Sequence, residues 1–256
     1  MTDREIAEEL RSRGWGVVPP DQYLIDIEPV FKTMWKQVKP YTMTSLERGY
    51  ALFKAIEYLV RNGIKGDIVE CGVWKGGSCM LMALSLLHFG IVDKTIRLYD
   101  TFSGMTEPTK EDVITWNNRS VLEKWEEDKN GIKENFTSWA VGIDEVKSNM
   151  KKIKYPEKLV RFIPGDICQT LSERVPSDIA LLRLDTDWYQ STAYELKVLY
   201  PKVVPGGVVV VDDYGHFRGA RKAVDEYFGD FDFLPLLCRA DYTGRIMAKP
   251  GVPTAS

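Results

Sequence analysis

The 256-residue sequence is poor in cysteine, and Cys71, Cys79, Cys168 and Cys238 are too scattered to form any CxxC pair. Neither a zinc framework nor a disulfide scaffold follows from that spacing, so reduced and mostly buried thiols are expected. Long apolar runs are also missing. Nothing approaches the ~20 residues that cross a bilayer, and the charged, amphipathic start MTDREIAEELRSRGWG has no apolar core of a secretory signal. A cytoplasmic chain without a membrane partner is the expectation. Positive charge is not in excess: 34 Lys and Arg against 37 Asp and Glu leave a formal net charge of -3. This argues against nucleic acid as a partner, because phosphate binding needs clustered Lys and Arg to displace counterions.

What is present is a chain with 44% hydrophobic residues, enough for one large core. Short β-branched runs alternate with helix-length segments, the pattern of a parallel sheet wrapped by helices. Strands are expected at Asp67 to Cys71, Ile96 to Asp100, Val160 to Pro164, Ile179 to Leu184 and Val208 to Asp212. A terminal hairpin is expected from Phe231 to Leu237 and Arg245 to Lys249, turning at Asp241 to Gly244. The reading is a single domain over 1–256. It has an N-terminal helical region at 1–63, with a helix from Ser45 to Arg61, a core at 64–250, and an insertion at 103–158 too long for an ordinary βα connection. Such extra segments serve as lids, substrate walls or subunit contacts.

In open α/β sheets ligands bind beyond the carboxyl ends of the strands. Glu70, Asp100, Asp166, Asp185, Asp187, Asp212 and Asp213 should therefore converge on one rim. The run Asp67 to Ser78 passes from a strand through a glycine loop into an apolar helix. Gly72 would let the backbone approach a ligand, and Gly76, Gly77 and Ser78 would present N–H groups at a helix start. The spacing is not the GxGxxG that seats a pyrophosphate. S-adenosyl-L-methionine, with an ammonium and a carboxylate but no phosphate, suits it better, with Glu70 toward the ammonium. Asp100 ends the next strand, where a carboxylate can accept from both ribose hydroxyls, and Thr101 to Gly104, including Ser103, forms a polar loop beside it. Gly165, Asp166 and Ile167 are placed to meet adenine.

Asp185-Thr186-Asp187 and Asp212-Asp213 follow adjacent strands. Four carboxylates there repel one another unless a cation intervenes. Without Cys or clustered His, such a site selects a hard ion, Mg²⁺ by default. A cation beside a methyl donor would lower the pKa of a sugar or catechol hydroxyl and align it with the sulfonium, and one remaining Asp could take the proton. Helix capping is the plainer explanation, but it accounts for one acid per loop rather than two. Arg183, inside an apolar strand, needs a carboxylate or carbonyl partner and would organise the acidic rim. His216 and His88 read as hydrogen-bonding and structural residues. Trp35, Trp116, Trp125 and Trp139 are more simply packing residues than a sugar platform.

Five motifs carry a resemblance to a known family: Tyr41-Thr42-Met43, Val69 to Ser78, Tyr99 to Met105, Asp185 to Tyr189, and Asp212-Asp213-Tyr214. Together they resemble the TylF or macrocin O-methyltransferases, sugar O-methyltransferases of antibiotic pathways. The resemblance implies a class I methyltransferase fold, Rossmann-like, with a mostly parallel seven-stranded sheet, helices on both faces and lid insertions. It implies Mg²⁺ on Asp185, Asp212 and Asp213, Asp187 as general base, and Glu70, Asp100, Asp166 and Met43 around S-adenosyl-L-methionine. Where some members place a histidine, this chain has Trp188 and Tyr189, which leaves Asp187 as the base. A mobile lid, a homodimer and a glycosylated small-molecule acceptor are further implications. The alternatives are a catechol-type O-methyltransferase, or a metal-dependent glycosyltransferase that uses Asp185-Thr186-Asp187 as its DxD motif.

Overall fold

The computed structural model describes residues 2–17, 26–129, 139–172 and 174–251. Seven strands form one sheet: β1 (Asp67–Cys71), β2 (Ile96–Asp100), β3 (Val160–Pro164), β4 (Ile179–Leu184), β5 (Val203–Val211), β6 (Cys238–Arg239) and β7 (Arg245–Ala248). Their order is β3-β2-β1-β4-β5-β7-β6. The first five run parallel, whereas β7 lies antiparallel to both β5 and β6. The order reverses between β1 and β4, where a crevice opens at the strand ends.

Near-continuous apolar strands are the mark of a sheet covered on both faces, and alternate side chains serve opposite faces. Ile68, Leu98, Leu181, Val208 and Val210 join one core with helices α3 (Leu46–Arg61) and α4 (Gly77–His88), beside α2 (Pro29–Val38). Val69, Tyr99, Leu182, Val209 and Val211 join the other, with α8 (Tyr189–Leu199) and α9 (Arg218–Gly229). The remaining α-helices among the described residues are α1 (Asp3–Ser12), α5 (Val121–Lys129), α6 (Ile143–Lys151) and the single turn α7 (Ile167–Thr170). No helix among the described residues is long and apolar enough to cross a membrane. All four cysteines are free.

Two expectations need correction. β5 begins at Val203, five residues earlier than its β-branched run suggested. The penultimate strand is not Phe231 to Leu237 but the short Cys238–Arg239, because Pro235 has no N–H to give a ladder and the preceding residues form bends. The first part of the insertion docks on the core. Asp112, fully buried, accepts from the N–H of Tyr189 at 2.8 Å, Trp188 donates its indole N–H to the Thr106 carbonyl at 2.9 Å, and Ile114 bridges to Phe217. Residues 130–138 of this insertion, and Pro19-Pro20 in the N-terminal region, lie outside the described residues.

Candidate active site

The crevice at the strand ends is a cavity of about 410 Å³, lined by residues from the N-terminal segment, all five parallel-strand ends, the insertion and the β6–β7 turn. At its base, Gly72 has φ +80° and its backbone lies against Asp185. Gly77 admits the N-terminal segment, since a Cβ there would stand 2.4 Å from the Tyr41 carbonyl oxygen. That approach brings Met43 and Thr44 to the cavity wall.

The cavity collects nearly every residue proposed from sequence. Met43, Glu70, Gly72, Ser78, Asp100, Thr101, Gly165, Asp166, Ile167, Asp185, Asp187, Asp212 and Asp213 all line it. Ser103 does not: it is exposed, and its N–H folds back on the Thr101 hydroxyl at 3.2 Å. Gly76 also departs from expectation, because its N–H is spent on the Val73 carbonyl at 2.8 Å. Asp100 braces the glycine loop: one oxygen accepts from the N–H groups of Val73 at 2.6 Å and Trp74 at 3.2 Å, the other from Phe102 at 2.7 Å. Asp166 caps α7 through the Cys168 N–H at 2.8 Å.

The acidic cluster divides around two arginines. Arg183, 3% exposed, ion-pairs with Glu70, with Asp185 at 2.5 Å and with Asp212 at 2.5 Å. Glu70, 1% exposed, also accepts the Cys79 thiol at 2.5 Å. Its two oxygens are thus taken inside the protein rather than turned to a ligand ammonium. Burial pushes the Glu70 carboxyl up, against the opposing pull of Arg183. Arg48 from α3 pairs with Asp212 and, at 3.0 Å, with Asp241, which Ser45 also approaches at 2.7 Å. A protein cation therefore meets part of the repulsion that the sequence alone assigned to a metal.

Among the described residues, Asp185, Asp187 and Asp213 each offer an oxygen within 4.8 Å of one another. This trio differs from the one implied by the family resemblance: Asp187 stands in it, while both oxygens of Asp212 face guanidinium groups. Burial is the first cause that drives Asp185 and Asp213 well above the usual carboxylate range, and neighbouring carboxylates add to it. Burial and then Asp185 push Asp187 up to about 8. One oxygen of Asp213 is buried with no hydrogen-bond partner. An orphaned carboxylate oxygen within a cluster of hard donors fits a divalent cation such as Mg²⁺. The capping explanation fails here, because the first turn of α8 has no side-chain cap from Trp188 and its Tyr189 N–H goes to Asp112.

Several site residues escaped the sequence. Arg48 and Asp212 are 164 residues apart, and nothing local marks Arg48 as other than a helix-surface arginine. Glu195, fully buried on α8, receives the Thr186 hydroxyl, and burial pushes it up to about 8 against that bond. Of the four tryptophans singled out, Trp139 lines the cavity, Trp35 is buried over Gly49, Trp125 packs against the small apolar cluster that contains Ile114, Val121 and Trp188, and Trp116 is exposed. His216 lines the cavity as well, bonded through Nδ1 to the Tyr242 hydroxyl at 3.0 Å.

A sheet of this order, with a glycine loop after its first strand and carboxylates after its fourth and fifth, has the architecture of a class I methyltransferase. The model of the macrocin O-methyltransferase (TylF) family matches residues 33–246. The chain is 34% identical over 204 residues to demethyldecarbamoylnovobiocin O-methyltransferase of Streptomyces niveus, spanning 80% of this chain and 74% of that one. It is 31% identical over 187 residues to mycinamicin III 3''-O-methyltransferase of Micromonospora griseorubida, spanning 73% and 70%. The solved structure of the O-methyltransferase NovP is similar at TM-score 0.70 and 32% identity, covering 82% of this chain and 83% of that chain. The calicheamicin methyltransferase CalS11, at TM-score 0.59 and 15% identity over 92% and 95% of the two chains, shares the fold. The chain belongs to the macrocin O-methyltransferase family and is an O-methyltransferase, which removes the glycosyltransferase alternative.

Proposed function

We propose that this enzyme transfers the methyl group of S-adenosyl-L-methionine to a sugar hydroxyl of a glycosylated natural product in antibiotic biosynthesis, with the help of Mg²⁺. The observation that carries the reading is one cavity shared by the glycine loop and the Asp185, Asp187 and Asp213 cluster. The activities of the relatives, O-methylation of novobiocin and mycinamicin precursors among them, support the acceptor class.

Asp185 and Asp213 would hold the cation, with Asp212 kept on Arg183 and Arg48 beside it. The bound ion would supply Lewis acidity to the acceptor oxygen. Asp187, an oxygen of which lies within 4.8 Å of oxygens of Asp185 and Asp213, is placed to take the hydroxyl proton as that oxygen accepts the methyl group. Asp100 keeps the glycine loop in shape, and Met43, Thr101, Asp166 and Ile167 surround the nucleoside half of the cavity. Tyr242, His216, Phe217 and Trp139 supply an aromatic wall for the acceptor. A homodimer completes the proposal.

The test is an acceptor screen with labelled S-adenosyl-L-methionine, comparing glycosides, their aglycones and simple catechols, with and without EDTA. Labelling of glycosides that stops in EDTA and returns with Mg²⁺ is expected. Labelling of catechols alone would overturn the acceptor class, and full activity in excess EDTA would overturn the cation. Light scattering should report twice the 29.2 kDa chain mass.

A further inference from the structure

Thr186 separates Asp185 from Asp187, so its conformation sets how those two carboxylates are presented. Its hydroxyl donates to Glu195, 3.0 Å from one carboxylate oxygen and 3.2 Å from the other. Its carbonyl accepts the Trp188 N–H at 2.7 Å and lies 3.4 Å from the Ser191 hydroxyl. The next residue, Asp187, holds a left-handed backbone with φ +65°, a conformation that persists in a non-glycine residue only when its surroundings over-determine it. Glu195 sits on the inner face of α8 between Thr192 and Leu196, 0% exposed. An apolar side chain would fill such a position at lower cost, since a buried carboxyl must be compensated by its hydrogen bonds.

We infer that Glu195 is a positioning residue of the cation site: through Thr186 it fixes the Asp185 to Asp187 turn so that both carboxylates converge with Asp213. Metal ligands are oriented by such outer partners, and the ligands here are short carboxylates whose direction follows the backbone. The inference rests on the proposed cation site.

Mn²⁺ and S-adenosylhomocysteine binding, each measured by titration calorimetry on the full chain, test it in wild type, Glu195→Gln, Glu195→Ala and Thr186→Val. Glu195→Ala and Thr186→Val should weaken Mn²⁺ ~10–100-fold and leave S-adenosylhomocysteine affinity unchanged, whereas Glu195→Gln, whose amide oxygen can still accept the Thr186 hydroxyl, should bind Mn²⁺ close to wild type. Thr186→Val, which removes only the hydroxyl, carries the test if Glu195→Ala does not fold. Wild type that binds no Mn²⁺ would remove the cation site itself. Wild type that binds it, with Glu195→Ala and Thr186→Val binding equally well, would overturn the role of Glu195 alone. Equal loss of both ligands would mark a general structural residue and overturn it too.

Discussion

Gly72 and Asp185 meet backbone to backbone: a Cβ on Gly72 would lie 1.9 Å from the Asp185 carbonyl oxygen, while the Asp185 N–H donates to the Cys71 carbonyl at 2.8 Å. The glycine loop after β1 and the DxD turn after β4 are therefore one packed unit. Gly72→Ala cannot be absorbed by a rotamer change, because the obstacle is main chain and φ is +80°. Destabilisation of about 3 kcal/mol or more is expected. Thermal unfolding should show it, together with lost S-adenosylhomocysteine binding; an unchanged midpoint would contradict the packing.

Arg183 is the charge partner of Glu70, Asp185 and Asp212 at once. Arg183→Met would leave the buried Glu70 without its cation, strip Asp185 of its own and leave Asp212 with Arg48 alone, and breaking a buried pair costs about 3–5 kcal/mol. Denaturant titration should reveal a large loss, eased at acid pH where the carboxylates can take protons. A variant as stable as wild type at neutral pH would refute the charge assignment.

Asp187→Asn keeps the shape of the side chain and removes its basicity. Turnover should fall ~10²–10⁴-fold, the usual contribution of a positioned base, with S-adenosylhomocysteine affinity intact. Unaltered turnover would remove Asp187 from that role.

The pH dependence of stability has a definite sign. Asp187 and Glu195 keep their protons up to about 8 in the folded, cation-free protein, whereas an unfolded chain loses them near pH ~4. The unfolded state binds fewer protons across that window, so this contribution is present at the acid end and is lost as pH rises through the folded values. In EDTA the melting temperature should fall between about pH 5 and pH 8. Mg²⁺ should restore more of it at the upper end, where no proton need be displaced. A rising melting temperature over this range would contradict the assigned burial.

Strands were legible because burial on both faces forces long β-branched runs, as in Val208 to Val211, and each run ends where an acid appears. Their bounds were less so. The hidden start of β5 at Val203 contains Pro205-Gly206-Gly207, which reads as a turn, while the residues before β6 looked like strand until Pro235 is considered. Ser103 looked like part of the cofactor loop because it shares the polar run of Thr101, but the loop turns it outward.

By itself the sequence determined the acids, their order along the sheet and hence the rim on which they meet, since strand polarity and crossover topology leave little choice. Only the tertiary structure decided which charges neutralise which. Arg48 reaches Asp212, Asp112 takes the Tyr189 N–H, and Glu195 takes the Thr186 hydroxyl. Each contact depends on separations of a few ångströms, most of them between segments far apart in the chain, where spacing along the sequence carries no signal. The same geometry left Asp185, Asp187 and Asp213 together, with a buried oxygen of Asp213 still without a partner.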